Sequence, residues 1–175
     1  MRLVLLLLLM LAIECVPRLA EAQYKNGQLG FELGYGFYAP DLLVDEHNFM
    51  VGLRGAFKAE DHWWFSAKGL LSFRGEQNIS ERTVVILHLV PVAVRYYILT
   101  DSFRPFVGIT NSFNFFFNSA RGTPVSWGPG GEVGVEIKLV RDIFLAFQAD
   151  VFYLFVFEGP DDPMFTVTAQ LNFFL

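Results

Sequence analysis

Three histidines and the serines around them are the residues with the greatest capacity for catalysis. A hydrolase needs a serine within hydrogen-bonding distance of a histidine base, with an acid or amide orienting that histidine. His47 stands in a polar segment, His62 in a short turn and His88 in an apolar segment. The chain has no His-x-Ser and no Gly-x-Ser-x-Gly arrangement. We therefore expect no catalytic residues and predict that the protein is not an enzyme.

The residue types give little reason to expect a metal site or a cofactor site. Two acidic segments could attract divalent cations, but a solvated charge run is the simpler interpretation. Their residues are Asp41, Asp45 and Glu46, then Glu158, Asp161 and Asp162. The glycines of residues 128–131 precede no predicted helix, which excludes a phosphate loop. The only cysteine, Cys15, precedes the predicted mature chain. We expect no disulfide, no metal site and no cofactor.

The candidate site with the best support is a set of charged residues at alternate positions of apolar segments. They are Glu32, Arg54, Lys68, Arg74, Arg95, Glu132, Glu136, Lys138 and Asp150. On one side of a sheet they could line a selective pore. The acidic and basic residues are nearly equal in number. This favours the other interpretation, in which they form a network of ion pairs that plugs the interior of the fold. Glu32 and Arg54 are equidistant from a loop centred near Leu43, so we predict that they are cross-strand neighbours.

The segments that position these charges alternate apolar and polar residues with period two. Eight such segments follow one another, with connections that alternate between short and long. The fourth, around residues 83–98, breaks the alternation because His88 falls on the apolar side. We predict a bulge near residues 87–89, and Pro91 also suggests an irregularity. The pattern predicts an all-β fold, an eight-stranded antiparallel up-and-down transmembrane barrel.

The apolar side of these strands is predicted to face lipid. It carries bulky aromatic and aliphatic residues, which would overfill the narrow interior of eight strands. The other side is rich in Gly, Ala, Ser and Thr and carries the charges. Hydrophobic residues make up 53% of the chain, yet after residue 22 no run approaches the roughly 20 apolar residues of a membrane helix. The alternative is a soluble exported barrel that binds a ligand.

The first 22 residues have the three parts of a secretory signal peptide. Arg2 provides the positive start, residues 3–13 the apolar run, and Ala20-Glu21-Ala22 the small-residue cleavage site. We therefore expect residues 1–22 to be removed and residues 23–175 to form one outer-membrane barrel domain.

Two segments resemble the small outer-membrane β-barrel family. The first is LVPVAVRYYI (residues 89–98), followed after a short turn by RPFVGI (residues 104–109). The second is the terminal TVTAQLNFFL, which is similar to the family's assembly signal, with Leu175 where an aromatic residue is usual. The resemblance implies an OmpA- or OmpX-type barrel inserted by the outer-membrane assembly machinery, without a shared active site.

Taken together, these features predict an outer-membrane protein with a structural or surface-interaction role and a lumen plugged by ion pairs. The alternatives are a narrow pore for small solutes, a lipid-modifying enzyme and a soluble ligand-binding barrel. Expected partners are outer-membrane lipids, lipopolysaccharide and, through the C-terminal strand, the assembly machinery. We expect a monomer, and the net charge of −5 argues against nucleic acid.

Overall fold

The computed structural model describes residues 26–38, 48–75, 83–117, 125–156 and 162–175, which form eight strands. They are β1 (Gly27–Tyr38), β2 (Asn48–Lys58), β3 (Trp63–Gly75), β4 (Thr83–Tyr97), β5 (Phe103–Phe117), β6 (Val125–Val140), β7 (Ile143–Val156) and β8 (Asp162–Phe174). Each strand pairs antiparallel with its neighbours in the chain, and β1 also pairs with β8. The predicted eight-stranded antiparallel barrel is confirmed.

The two ends of the barrel differ in their connections. At the turn end lie residues 59–62, 98–102 and 141–142, together with the first residue of β1 and the last of β8. At the loop end the connections are residues 39–47, 76–82, 118–124 and 157–161, which lie outside the described residues. His47 and five of the six acidic residues considered for cation binding fall in these connections. The predicted signal peptide also lies outside the described part.

Along each strand, side chains point alternately outward and into the lumen, as the pleat requires. The outward side chains are apolar and exposed, for example Phe31 at 55% and Ile109 at 70%, whereas the inward Glu32 is fully buried. Exposed aromatic rings stand near strand ends, as at Phe49 and Trp63. A soluble barrel would have the opposite arrangement, with apolar residues inside. The wall is therefore that of a barrel surrounded by lipid.

The irregularity predicted at Pro91 exists, whereas the bulge predicted near residues 87–89 does not form there. Ser66 of β3 pairs with Ala93, whereas Lys68 pairs with Val90. Two residues of β4, Pro91 and Val92, therefore stand opposite a single residue of β3, and both are exposed. Proline has no N–H to donate to the ladder, which explains why the bulge forms there. The prediction of a bulge at residues 87–89 was wrong.

The position of the bulge determines which way the first half of β4 faces. His88, three residues before Pro91, points into the lumen and is 2% exposed. Val90, which the sequence pattern placed toward lipid, is also buried in the lumen. The bulge restores the outward phase afterwards, so that Val92 and Tyr96 face outward.

Candidate functional site in the barrel lumen

The lumen is filled by three layers of side chains. Toward the turn end lies an aromatic layer, formed by Trp64, Tyr97, Phe106, Phe144 and Phe174. Charged and amide side chains occupy the middle. Toward the loop end lies an apolar cluster that includes Met50, Leu70, Ile86, Phe152, Leu154 and Met164. Apolar groups thus lie on both sides of the charged layer.

Lys68 connects opposite walls of the barrel. Its Nζ lies 2.9 Å from an oxygen of Asp150 on β7 and 3.2 Å from an oxygen of Glu32 on β1. Four strand steps separate β3 from β7 in either direction around the barrel, so the bond to Asp150 crosses the lumen. All three side chains are at most 4% exposed. This cation is consequently shared between two buried carboxylates.

Arg95 and Gln148 join a second ion pair to the first. The Arg95 guanidinium donates to both carboxylate oxygens of Glu132 and to the Gln148 side-chain oxygen. The Gln148 amide nitrogen in turn donates to Glu132, at 3.1 Å, and to Asp150, at 2.5 Å. Because Asp150 also binds Lys68, the two ion pairs belong to one continuous network.

Arg104 is a lumen cation that the sequence analysis missed. Its guanidinium lies 3.3 Å from Glu136, with the Tyr97 ring centroid at 4.3 Å. Three further rings surround it at 5.1 to 5.3 Å, those of Trp64, Phe144 and Phe174. The period-two phase of β5, continued back from Gly108, would have assigned it to the lumen. The aromatic layer therefore holds a cation by both charge and ring faces.

The predicted pairing of Glu32 with Arg54 was wrong. Glu32 stands opposite Gly52, and Arg54 stands opposite Gly30, two residues away. The two strands pair about a centre one residue earlier than Leu43. Arg54 instead donates from Nη1 to the Gln28 side-chain oxygen at 3.0 Å, and its Nε and Nη2 find no hydrogen-bond partner in the described part of the chain.

Two other predicted members of the charged set stand apart from the network. Lys138 has the inward phase of β6 but is exposed, because it lies two residues from the end of the strand, where its side chain reaches the turn end. Its assignment to the buried network was wrong. Arg74 lies in β3 one residue from its loop end, and its side chain is outside the described part.

A second polar cluster crosses four adjacent strands near the loop end. His88 Nδ1 lies 2.5 Å from the Asn114 side-chain oxygen, and the Ser72 hydroxyl lies 3.3 Å from His88 Nε2. Asn114 also donates to Ser126 and accepts from Ser112. The serine–histidine contact was missed because the two residues lie sixteen positions apart in the sequence. It removes the premise on which the sequence analysis predicted no catalysis.

On the outside, the turn after β2 carries an ion pair exposed to water. Lys58 Nζ lies 2.6 Å from Asp61 Oδ1. The hydrogen bond from Lys58 and its positive charge lower the pKa of Asp61 below its ordinary value. His62 donates from Nδ1 to the Tyr97 carbonyl and stacks on Tyr96. These contacts hold the turn against the last residues of β4, at the turn end of the barrel.

Among the described residues, no three His, Cys, Asp or Glu side chains are grouped so that they could hold a metal ion. No helix in the described part is long and apolar enough to cross a membrane.

Comparison with known proteins identifies the fold and leaves the role open. No protein-family model matches the chain, and no curated protein sequence does. Neisserial surface protein A has a similar structure, with a TM-score of 0.64 and 13% identity, covering 85% of this chain and 96% of that one. OprG from Pseudomonas aeruginosa gives a TM-score of 0.56 and 10% identity over 86% and 97%. The outer membrane enzyme PagL gives 0.55 and 10% over 85% and 99%.

At these identities the comparisons show a shared fold, that of the eight-stranded outer-membrane barrel. An apolar wall of this extent is not left in water. The wall and the fold agree in locating the protein in the outer membrane, as the sequence predicted. Because PagL is an enzyme and has the same fold, the architecture itself does not exclude catalysis.

Proposed function

We propose that the protein is a closed outer-membrane barrel with a structural or surface-interaction role, and that its lumen does not conduct ions steadily. Such a role requires no catalytic group. In outer-membrane barrels the long connections face the exterior and the short turns the periplasm. By that rule, the connections at the loop end would meet partners outside the cell.

The filled lumen is the observation that carries the proposal. Among the described residues, four buried cations balance four buried carboxylates. The cations are Arg54, Lys68, Arg95 and Arg104, and the carboxylates are Glu32, Glu132, Glu136 and Asp150. Eight strands leave an interior just wide enough for side chains to fill. An ion entering this lumen would have to separate pairs whose charges are shielded from water.

The energetics of buried ion pairs favour the closed state. Removing one partner of such a pair typically costs about 3–5 kcal/mol, because the other charge stays buried without compensation. Lys68 is bound to two carboxylates, and Gln148 links its pair to that of Arg95. A passage through the middle layer would therefore break several linked contacts at once.

A narrow pore for small solutes is the second candidate, and one observation favours it. Several buried polar atoms on β1, β2 and β8 have no hydrogen-bond partner within the described ranges, among them Glu32 Oε2, Arg54 Nη2 and Thr168 Oγ1. Buried polar groups are commonly satisfied by internal water. A file of water along this side of the lumen would be the start of a solute path.

The remaining assignments follow from the membrane location. Outer-membrane phospholipids and lipopolysaccharide are the proposed contacts of the apolar wall. Insertion would use the outer-membrane assembly machinery, which would recognise the C-terminal strand. We further propose a monomer, with residues 1–22 removed as a signal peptide before residues 23–175 fold.

Planar-bilayer recording from refolded protein tests the closed lumen. Folding is checked beforehand by the heat-dependent shift in gel mobility that folded barrels show in detergent. We expect no stable conductance steps from the wild-type protein, and new conductance from Lys68→Met, which removes the cation shared by Glu32 and Asp150. Long-lived conductance steps in the folded wild type would refute the closed lumen and favour the narrow pore.

A further inference from the structure

We propose that Ser72, His88 and Asn114 form a catalytic triad that hydrolyses long-chain acyl esters. The inference goes beyond the structural or surface-interaction role and uses a part of the lumen that the closed charged layer does not occupy. It also departs from the sequence-based expectation that the protein is not an enzyme.

The three side chains have the contacts that a nucleophile, a base and an orienting group require. The Ser72 hydroxyl lies 3.3 Å from His88 Nε2, and His88 Nδ1 lies 2.5 Å from the Asn114 side-chain oxygen. A contact of 3.3 Å is slightly long, as such contacts often are in the absence of substrate. An asparagine in the orienting position occurs in the Cys-His-Asn triads of papain-like proteases, and here it would serve a serine nucleophile.

The surroundings of Asn114 determine the protonation pattern that the reaction needs. Its amide nitrogen donates to Ser126 Oγ at 3.1 Å, and its oxygen accepts from Ser112 Oγ at 3.0 Å. In this orientation the amide oxygen faces His88, and a hydrogen bond between them requires the histidine proton on Nδ1. Nε2 is then left with a free lone pair directed at the Ser72 hydroxyl, so that His88 can act as a general base.

The scaffold holds these groups rigidly. They project from neighbouring strands, Ser72 from β3, His88 from β4 and Asn114 from β5. All three are at most 2% exposed. Groups on paired strands keep their mutual positions better than groups on loops. Ser72 lies three residues before the loop end of β3, so a substrate would enter from that end.

Apolar neighbours of Ser72 indicate the class of substrate. The residues paired with it on the two adjoining strands are Met50 and Ile86. Both belong to the apolar cluster that also contains Phe152, Leu154 and Met164. A carbonyl group held at Ser72 would have hydrocarbon-binding side chains beside it. The fitting substrate is an ester of a long acyl chain, and the barrel is surrounded by lipids that carry such esters.

The reaction would proceed through an acyl-enzyme. Ser72 Oγ attacks the ester carbonyl while its proton passes to His88 Nε2. The tetrahedral intermediate then collapses, and the departing alcohol takes that proton from His88. Water attacks the acyl-Ser72 ester with His88 again accepting a proton. The fatty acid leaves as that proton returns to Ser72 Oγ, which completes the cycle.

The first experiment asks whether Ser72 is a nucleophile. Folded protein is treated with a fluorophosphonate probe, and the labelled residue is identified by mass spectrometry. We expect labelling at Ser72, none in Ser72→Ala and little in His88→Gln. Ser66→Ala is the matched control, because Ser66 is a buried lumen serine on the same strand. It should label like the wild type. Absence of labelling in the folded wild type would overturn the proposal.

The second experiment measures turnover with short- and long-chain p-nitrophenyl esters, phospholipid vesicles and lipopolysaccharide in separate arms. His88→Gln should lower the rate about 10²–10⁴-fold, whereas Asn114→Asp should retain more activity than Asn114→Ala. Release of fatty acid from phospholipid or from lipopolysaccharide identifies the natural source of the ester. Turnover that is undiminished in Ser72→Ala, or confined to short-chain esters, would overturn the assignment.

Discussion

Replacing Lys68 by methionine is the most informative perturbation of the charged layer. Methionine keeps much of the aliphatic volume of lysine, so little cavity is created, and the main change is loss of the charge. Asp150 would retain hydrogen bonds from Thr166 at 2.7 Å and from Gln148 at 2.5 Å. Glu32 would lose the one partner that the described residues provide for its carboxylate.

The expected loss of stability follows from this difference between the two carboxylates. Breaking a buried ion pair by removing one partner costs about 3–5 kcal/mol. We place Lys68→Met near the middle of that range, about 4 kcal/mol, because Asp150 keeps two other donors. Adding Glu32→Gln removes the uncompensated charge, so the double variant should regain about half of the loss.

Urea unfolding in lipid vesicles, followed by tryptophan fluorescence, measures these changes. For a slope of about 2 kcal/mol per molar urea, the midpoint of Lys68→Met should fall by about 2 M. Lys58→Met is the matched control, since Lys58 pairs with Asp61 in a turn exposed to water. Its loss should leave the urea midpoint close to that of the wild type, because an ion pair exposed to water contributes little to stability.

Two results would refute the reasoning. The first is a change below about 1 kcal/mol in Lys68→Met, which would mean that the pairs in the lumen are as well solvated as those at the surface. The second is a double variant no more stable than Lys68→Met, which would mean that Glu32 is not the group left uncompensated.

Three further predictions concern packing, the aromatic layer and the exposed turn. A Cβ at Gly52 would lie 2.1 Å from a backbone oxygen, whereas one at Gly55 would have nothing within 4 Å. Gly52→Ala should therefore destabilise by about 1–3 kcal/mol and Gly55→Ala by less than about 0.5 kcal/mol, as measured by urea unfolding. Phe174→Ala should cost about 2–3 kcal/mol and lower the temperature of the gel-mobility shift. Asp61 should titrate below its ordinary pKa in an NMR experiment, and Lys58→Met should raise that pKa. The stability due to this pair is present above the unfolded-state pKa of Asp61 and is lost as the pH falls through the lower folded-state value.

The architecture could be predicted from the sequence because alternation reports which face of a strand is buried. The wall is nearly uniform in chemistry, so each strand carries the same signal. The exception was β4, where the phase changes within the strand. Alternation shows that a change is needed, but residues 87–89 and Pro91 were both possible places for it. Only the pairing with β3 locates the extra residue.

Contacts inside the lumen could be predicted less well, because they depend on register and on distance around the barrel. The Glu32–Arg54 pairing failed by two residues, since the centre of a loop does not determine how its strands align. The contact of Lys68 with Asp150 joins residues 82 positions apart on opposite walls. No local pattern reveals such a pair. Ser72 and His88 likewise become neighbours only through the pairing of β3 with β4.

The pairing of β1 with β8 has a consequence for how the barrel must assemble. Seven of the eight strand pairings join neighbours in the chain, so each can form as a local hairpin. The eighth, from Gln28–Phe174 to Tyr38–Met164, joins segments more than a hundred residues apart. Until it forms, both segments present unpaired N–H and C=O groups, each of which would cost several kcal/mol in hydrocarbon. An open sheet of eight strands, in which β1 and β8 are not yet paired, therefore has no stable place in the bilayer. Closure and insertion must occur together, or the open edges must be sheltered by another protein until the last strand arrives.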